Sequence, residues 1–276
     1  MRAPLLLHLS DTHFGTEQAP VVAALERLVR EHSPRIAVLS GDITQRATRP
    51  QFDAARAFVD RLGIAHWVII PGNHDIPLFQ LVLRAVDPYR RYRAAFGPEL
   101  APELDTDDWL VIGHKTTRRW RHENGELDAG QIARTAVRLR AAARARPDQL
   151  RVVVVHQPMS VPDATDAKNL IHGARAAAAA WSEAGADLVL GGHIHLPCVL
   201  PLQARGNKGG RLWVVQAGTA VSSRIRGGIA NSVNLLRPDT QGDGQRACRV
   251  ERWDYDAASA QFTLAHEERL LLAEAP

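Results

Sequence analysis

Two histidines flank a single isoleucine in the segment "GGHIHL", at the point where an apolar stretch of the chain ends. Taken alone, the spacing of His193 and His195 favours two surface histidines at a strand end over two metal ligands. Neutral imidazole is nevertheless the commonest protein ligand for transition metals. The other blocks of the chain that carry similar residues therefore decide between these two interpretations.

Four earlier blocks carry carboxylate, amide or imidazole groups directly after an apolar run. They are "SDTHFG" with Asp11 and His13, "SGDITQ" with Asp42, "PGNHDI" with Asn73, His74 and Asp75, and "VVVVHQ" with His156. All of these residue types belong to the set that binds metals or transfers protons. The repetition behind successive apolar runs favours a shared site.

The residues of these blocks supply too many ligands for one ion. The candidate ligands are Asp11, His13, Asp42, Asn73, His156, His193 and His195. Catalytic metal sites keep coordination positions open, so seven protein ligands fit two ions better than one. Imidazole, carboxylate and amide donors without thiolate favour Mn, Fe, Zn or Co. Paired ions about 3.5–4 Å apart suit an in-line displacement at phosphorus.

Buried strands must carry these blocks to one place. Continuously apolar runs predict strands at 5–10, 35–40, 66–71, 151–157 and 187–192, and helical spacing predicts helices at 19–32 and 49–63. Apolar runs without alternation are typical of strands that are covered on both faces. In open α/β sheets the carboxyl ends of the strands line the ligand crevice, so we expect the blocks to converge there.

The last third of the chain has a different sequence pattern, which predicts short strands separated by turn residues and a hairpin in the final segment. We therefore expect an α/β protein in which mixed sheets pack together. Residues 1–276 are expected to form one domain. Within it, residues 1–200 would be a metal-binding βα core and residues 201–276 would supply strands that complete the second sheet.

Composition excludes several other classes of protein. The 276 residues are 45% hydrophobic, carry a formal charge of +4 and have a pI near 9.5, which suits an anionic substrate but is no nucleic-acid signature. No apolar run reaches the roughly 20 residues that span a bilayer. The apolar start is too short for a signal peptide, so a cytoplasmic location is expected. Two cysteines indicate neither a disulfide framework nor a thiolate metal site.

The five blocks, in this order, resemble the calcineurin-like metallophosphoesterase superfamily. The opening "LLHLSDTHFG" is similar to bacterial class III cyclic-nucleotide phosphodiesterases. The resemblance implies a four-layer αββα sandwich of two mixed sheets flanked by helices. It also implies two ions, bridged by Asp42 and by a water or hydroxide. One ion would be held by Asp11, His13, Asp42 and His195, and the other by Asp42, Asn73, His156 and His193.

The resemblance assigns a different role to His74, which would contact a phosphate oxygen and protonate the leaving alkoxide. Asp75 would either orient that ring or act as a carboxylate at a helix start. Two positions depart from the usual pattern, Gln157 after the strand-ending histidine and His114 after "VIG". Both departures bear on the substrate preference of the pocket.

The substrate is expected to be a small phosphodiester such as a 3′,5′-cyclic nucleotide. Glycerophosphodiesters, nucleotide-sugar or lipid pyrophosphates, phosphomonoesters and a non-catalytic metal-binding scaffold stay open as alternatives. A lipid-linked substrate would need an apolar lid, whereas the stretch between residues 75 and 156 reads as charged, with "YRRYR" and "TTRRWRHENG". Nucleic acid is not expected as a partner, and a homodimer stays open. The candidate substrate contacts are His114, Arg118, His172 and Arg224.

Overall fold

The computed structural model describes residues 4–121, 123–202, 212–239 and 245–274. The strands are β1 (Leu6–Leu9), β2 (Ile36–Leu39), β3 (His66–Ile69), β4 (Glu103–Asp105), β5 (Trp109–Gly113), β6 (Leu150–Val154), β7 (Leu188–Gly191), β8 (Cys198–Leu202), β9 (Leu212–Gln216), β10 (Ser232–Asp239), β11 (Ala247–Asp256) and β12 (Gln261–Leu271). The α-helices are α1 (Ala19–His32), α2 (Arg49–Leu62), α3 (Leu81–Val86), α4 (Arg90–Phe96), α5 (Ala129–Ala145) and α6 (Ala174–Glu183).

The strands form two mixed sheets of six strands each. The first has the order β12-β11-β10-β1-β2-β3, and the second has the order β4-β5-β6-β7-β9-β8. In the first sheet β1, β2 and β3 are parallel, while β10, β11 and β12 are antiparallel to their neighbours. In the second sheet β5, β6, β7 and β9 are parallel. Five of these parallel strands, β1, β2, β3, β6 and β7, carry the motif blocks at their carboxyl ends.

The sequence led us to expect that the C-terminal strands complete the second sheet, but most of them join the first sheet. Only β9 extends the second sheet beside β7, whereas β10, β11 and β12 extend the first sheet beyond β1. These strands join the first sheet because β10 pairs antiparallel with the edge of β1 that β2 leaves open, with Leu6 opposite Leu236. The predicted hairpin at the end of the chain is present, and it is formed by β11 and β12.

The core consists of three apolar layers. Between the sheets lie aliphatic side chains from both, such as Val38 and Val68 from the first and Val152 and Leu190 from the second. The helices α1, α2 and α4 cover the outer face of the first sheet, and α5 and α6 cover the outer face of the second. This arrangement confirms the predicted four-layer αββα sandwich.

Local sequence explains the bounds of the helices near the site. Helix α2 begins after Thr48, whose backbone amide donates to Oε1 of Gln51 at 3.4 Å, and it ends at Gly63, whose φ of 62° is left-handed. Helix α1 starts with a proline in its first turn. Within the described residues, none of the helices has both the length and the apolar character needed to cross a bilayer.

Candidate metal centre

The loops that follow the parallel strands are tied to each other by backbone hydrogen bonds. The amide of Asp11 donates to the carbonyl of Gly41 at 3.0 Å, and the amide of His13 donates to that of Asp42 at 3.0 Å. The amide of His193 donates to Oδ2 of Asp11 at 2.9 Å, which connects the two sheets at this edge. Residues that are 182 positions apart in the chain therefore share one site.

Five of the candidate ligands have left-handed backbone angles, which residues other than glycine rarely adopt. The φ values are 53° at Asp11, 42° at His13, 48° at Asp42, 75° at His193 and 55° at His195. Asp, Asn and His tolerate this region better than other residues, but each such position costs on the order of 1–3 kcal/mol. The hydrogen bonds between the loops stabilise these strained backbone conformations. Concentrated strain of this kind is typical of functional sites.

Glycine allows the two loops that bring Asp11 and Asp42 into the site to approach closely. A Cβ atom on Gly72 would lie 2.1 Å from the backbone nitrogen of Asp42. A Cβ atom on Gly192 would lie 2.4 Å from Oδ2 of Asp11. Any side chain at either position would displace the carboxylate that it meets.

A first group of donor atoms surrounds one point on the side of β1. Nε2 of His195 lies 3.3 Å from Oδ1 of Asp11 and 3.1 Å from Nε2 of His13. Nε2 of His13 lies 3.8 Å from Oδ1 of Asp11 and 3.8 Å from Oδ2 of Asp42. These four side chains match the first predicted ligand set.

A second group of donor atoms lies on the other side of Asp42. Oδ1 of Asp42 is 3.2 Å from Nε2 of His156, which is 3.1 Å from Oδ1 of Asn73. The same Asn73 oxygen is 3.0 Å from Nδ1 of His193. Asp42 therefore presents Oδ2 to the first group and Oδ1 to the second.

Most of the donor-atom distances within each group match the spacing that a shared cation would produce, whereas the two 3.8 Å distances from Nε2 of His13 are longer. Ligand atoms about 2.1 Å from one ion lie about 3.0–3.4 Å apart in octahedral or tetrahedral geometry. Oδ1 of Asp11 is buried and has no hydrogen-bond partner, although a buried carboxylate oxygen is costly to leave unpaired. The residues present therefore fit two metal ions with nitrogen and oxygen ligands.

The outer ring nitrogens support the same conclusion. Nδ1 of His156 donates to the carbonyl oxygen of Ser40 at 2.8 Å, and Nδ1 of His195 donates to that of Arg224. In a neutral ring, such a bond places the proton on Nδ1 and leaves the lone pair on the inward Nε2. Histidines that ligate metals usually make this second contact.

Burial and charge set the protonation of the donors in opposite directions. Burial lowers the pKa of His13 to about 3 and that of His193 to about 4, so that both rings are neutral at neutral pH. Burial acts in the same sense on His156, but the Asp42 carboxylate raises its pKa to about 9. Burial opposes ionisation of Asp42 as well, yet His156 holds its pKa well below the usual range. The centre therefore keeps its carboxylates ionised.

His74 lies at the edge of this centre, and its ring is held by backbone rather than by Asp75. The ring donates from Nδ1 to the carbonyl oxygen of Gln45 at 3.0 Å, while Nε2 is 3.2 Å from Nη1 of Arg224. The ring centroid lies 4.9 Å from that of His13. Nε2 is therefore the ring nitrogen that is left to act on a ligand.

Asp75 does not contact the His74 ring, so its predicted role as ring orienter is wrong. Its carboxylate accepts hydrogen bonds from the backbone amides of Ile43, Thr44 and Gly72 at 2.8–3.1 Å, and from the hydroxyl of Thr44 at 2.9 Å. Burial and the nearby Asp42 raise the pKa of Asp75 to about 6. The second interpretation, a carboxylate at the start of a short helical turn, describes its position better.

An open cleft of about 520 Å³ lies over the centre. Its lining includes Asp42, Asn73, His74, Glu123, Asp166, Lys168, Asn169, His193, Ile194, His195, Arg224, Ile225 and Arg226. Arg224 is the one predicted substrate contact that lines this cleft. Asp166 and Arg226 form an ion pair of 2.9 Å in the wall. Neither Asp166 nor Lys168 belongs to a motif, so the sequence offered no signal for these two residues.

The other three predicted substrate contacts lie outside the cleft. His114 is buried, stacks on Trp181 and meets Thr135 at 2.9 Å. Arg118 is occupied by Gln131 and by the carboxylate of Asp128. His172 lies 3.3 Å from Arg121 on a loop. None of these three side chains lines the cleft, because each is engaged by neighbouring side chains instead.

Gln157, at one of the two unusual positions, is wholly buried beside the centre. It accepts from the hydroxyl of Thr116 at 2.6 Å and donates to the carbonyl oxygen of Glu123 at 2.9 Å. A Cβ atom on Gly125 would lie 2.1 Å from its Oε1 atom. Gln157 therefore positions the loop that carries Glu123 into the cleft, and it takes no place among the metal donors.

A family model describing calcineurin-like phosphoesterases matches residues 4–197, which include all seven candidate ligands. The chain belongs to this family. This calcineurin-like phosphoesterase also shares its fold with known structures. No curated protein sequence matches it.

Two solved structures illustrate the likeness of fold. The first is a dimetal phosphatase from Danio rerio, with a TM-score of 0.67 at 11% identity, covering 99% of this chain and 100% of that one. The second is a purple acid phosphatase from yellow lupin (Lupinus luteus) seeds, with a TM-score of 0.68 at 10% identity. That alignment covers 98% of this chain and 54% of the lupin chain. At these identities the similarity concerns the fold.

Proposed function

We propose that this calcineurin-like phosphoesterase is a two-metal hydrolase of a small phosphodiester, such as a 3′,5′-cyclic nucleotide. The observation that carries the proposal is the division of the donors into two groups that share Asp42. Two bound ions would acidify water and neutralise charge on the phosphoryl oxygens. Manganese, iron, zinc and cobalt all suit the donor set, which contains imidazole, carboxylate and amide oxygen.

The remaining steps belong to side chains at the edge of the centre. Because Nδ1 of His74 donates to the carbonyl oxygen of Gln45, the ring would act as an acid in its doubly protonated form, and the Nε2 proton would go to the leaving oxygen. Transfer of that proton would let an alkoxide depart as an alcohol, which is what a diester with a poor leaving group requires. Arg224, next to this nitrogen, would bind a phosphoryl oxygen and orient the ester.

The cleft supports a small anionic substrate. A volume of about 520 Å³ lies within the range of pockets that hold small molecules. Lys168, Arg224 and Arg226 contribute cationic groups to its lining, and Arg226 is paired with Asp166. A nucleotide or a glycerophosphodiester would fill such a cleft, and its open shape favours neither over the other.

A phosphomonoester hydrolase is the second candidate. Both solved structures described above are phosphatases by name, and their folds align over nearly the whole of this chain. A monoester would place its terminal phosphate on the same donor groups and would use Arg224 in the same way. The distinction depends on how readily the cleft accepts a second ester group.

The test is a substrate panel on protein loaded with Mn. Bis-nitrophenyl phosphate, nitrophenyl phosphate, cyclic nucleotides, glycerophosphodiesters and nucleotide pyrophosphates would be compared at equal concentration. Faster turnover of diesters than of the monoester supports the proposal. Preference for the monoester would replace it with the second candidate. Hydrolysis of none of them, with metal content verified, would instead favour a non-catalytic metal-binding scaffold.

A further inference from the structure

Five large apolar side chains stand exposed together near the cleft. We name this surface the α3 patch, and it consists of Phe79, Leu81, Val82, Val86 and Trp120. Each of them is 70–79% exposed. The other strongly exposed large apolar residues of the described chain are scattered in three separate places. A concentration of this kind differs from the single exposed apolar residues that are normal on protein surfaces.

Hydrogen bonds hold the two segments of the α3 patch side by side. The guanidinium of Arg84, in α3, donates to the carbonyl oxygens of Arg119 at 2.7 Å and Arg121 at 2.9 Å. Arg119 donates in return to the carbonyl oxygen of Ala85 at 2.5 Å. The segment that carries Trp120 is thereby fixed against α3, so the patch is one surface.

Nothing among the described residues covers this surface. Helix α3 contains no buried residue, although five of its six residues are apolar. Because none of the apolar side chains of α3 is buried, packing against the core contributes little to the stability of this helix. The description of residues 75–156 as charged was therefore incomplete, because this stretch also contains the apolar helix α3.

Arginines surround the α3 patch. The guanidinium of Arg46 lies 5.4 Å from the centre of the Phe79 ring, and that of Arg119 lies 5.9 Å from the centre of the Trp120 ring. Arg90 borders the groove that Leu81 and Val86 line. The carboxylate of that groove, Asp87, is held by Arg93 at 2.5 Å. The rim is therefore strongly cationic.

We propose that the α3 patch docks on an anionic lipid bilayer, with its apolar side chains in the interface and its arginines on lipid phosphates. Aromatic and aliphatic side chains beside arginines are the composition of helices that lie in the membrane interface. Tryptophan is enriched at that depth. Anionic lipids attract clustered arginines, whereas a symmetric pairing of two patches would bring Arg46, Arg90 and Arg119 against their own copies.

The patch is linked to the cleft through Gln45 and Arg46. Gln45 accepts from the ring of His74, which lines the cleft, and the guanidinium of Arg46 lies 5.4 Å from the centre of the Phe79 ring. Docking would bring the cleft near the layer of lipid headgroups. The docking itself depends only on the surface and not on the proposed hydrolysis, so the two can fail separately.

The test is sedimentation of the full chain with lipid vesicles. We expect binding to vesicles of phosphatidylcholine with about 30% phosphatidylglycerol and little binding to phosphatidylcholine alone, with binding reduced by salt. The double variant L81E/V82E should bind at least about tenfold more weakly than the original protein. The matched control is V137E/L264E, which adds the same charges at exposed aliphatic positions outside the patch and should bind as the original does.

Three outcomes would overturn the docking proposal. They are no binding of the original protein to anionic vesicles, equal loss in the patch and control variants, and a dimer in solution that L81E/V82E dissociates while vesicles stay unbound. Hydrolysis of bis-nitrophenyl phosphate by the same preparations separates this result from the proposed function. Turnover without vesicle binding removes docking alone, and vesicle binding without turnover removes hydrolysis alone.

Discussion

The imidazole of His74 is anchored to the backbone carbonyl oxygen of Gln45 by a hydrogen bond of 3.0 Å from Nδ1. A backbone acceptor cannot change its charge, so it fixes the tautomer and orientation of the ring. Nε2 is thereby directed to the side of Arg224 and the cleft. The anchoring of the His74 ring differs from that of the seven candidate ligands, whose donor atoms face one another in the two groups around Asp42, and it underlies the first prediction.

Replacing His74 with Asn should reduce turnover of diesters with alkyl leaving groups by about 10²–10⁴-fold, because the proton donor is lost. Nitrophenyl esters should be affected far less, since nitrophenolate departs without a proton. Metal content should stay unchanged. His66→Asn, at an exposed position on β3, is the matched control. Equal losses on both kinds of ester would remove the acid role from His74.

Replacing Asp42 with Asn should lower the affinity for both ions, because one carboxylate serves both groups of donors. Asparagine tolerates the φ of 48° at this position, so the backbone is expected to survive the change. Metal content after dialysis should fall from about two equivalents to well below one. Asp128→Asn, at a helix cap where Asn serves as well, is the control. Retention of two equivalents would contradict the bridge.

The variants His193→Asn and His195→Asn should each lose one ion and keep the other. The two rings lie in different groups of donors, next to Asn73 and Asp11 respectively. Manganese-loaded original protein should show the paramagnetic resonance spectrum of a coupled pair, and each variant should show that of an isolated ion. Persistence of the coupled spectrum in either variant would refute the division of the two histidines.

Asp75 should matter for stability and not for proton transfer. Replacing it with Ala leaves the amides of Ile43, Thr44 and Gly72 without their acceptor, so unfolding should become easier by about 2–4 kcal/mol. Denaturant unfolding measures this change. The ratio of rates on alkyl and nitrophenyl esters should stay that of the original protein. A shift of the ratio towards that of His74→Asn would return Asp75 to the role of ring orienter.

His114 should contribute a pH-dependent part of the stability of the metal-free protein. Burial and the charge of Arg134 lower its pKa to about 4 from an ordinary 6.5, so the unfolded chain binds the proton more readily. The contribution is therefore complete above pH 6.5 and is lost as the pH falls towards 4, by about 3 kcal/mol in all.

The measurement is urea unfolding of the original protein and of His114→Gln between these pH values. The variant should show the shallower loss of stability towards acid, whatever its stability at neutral pH. His66→Gln, whose side chain is exposed, should follow the original protein. Identical slopes for His114→Gln and the original protein would contradict the assignment.

The sequence was sufficient to predict the strands that carry the site. Runs such as "RIAVLS" and "RVVVVHQ" are apolar throughout, and they form β2 and β6, which are buried on both faces. The blocks behind them could be placed at one edge because parallel strands share an edge for their carboxyl ends. The family and the four-layer fold followed from these blocks and are confirmed.

Other features depended on contacts between distant residues. The sheet that accepts β10 is decided by the free edge of β1, and no local pattern in either strand specifies that pairing. The partner of the His74 ring is a backbone carbonyl, which has no signature in the sequence. His114 and Arg118 looked suitable for a pocket by residue type alone, yet helix α5 engages both through Thr135 and Gln131.

The sequence by itself determined which residues could bind metal and the order of the strands that carry them, because these are properties of residue type and hydrophobic periodicity. Only the tertiary structure decided which acceptor holds the His74 ring, which side chains reach the cleft, and that α3 stays uncovered. These are distances between residues far apart in the chain. They depend on how the sheets pack, which periodicity does not encode.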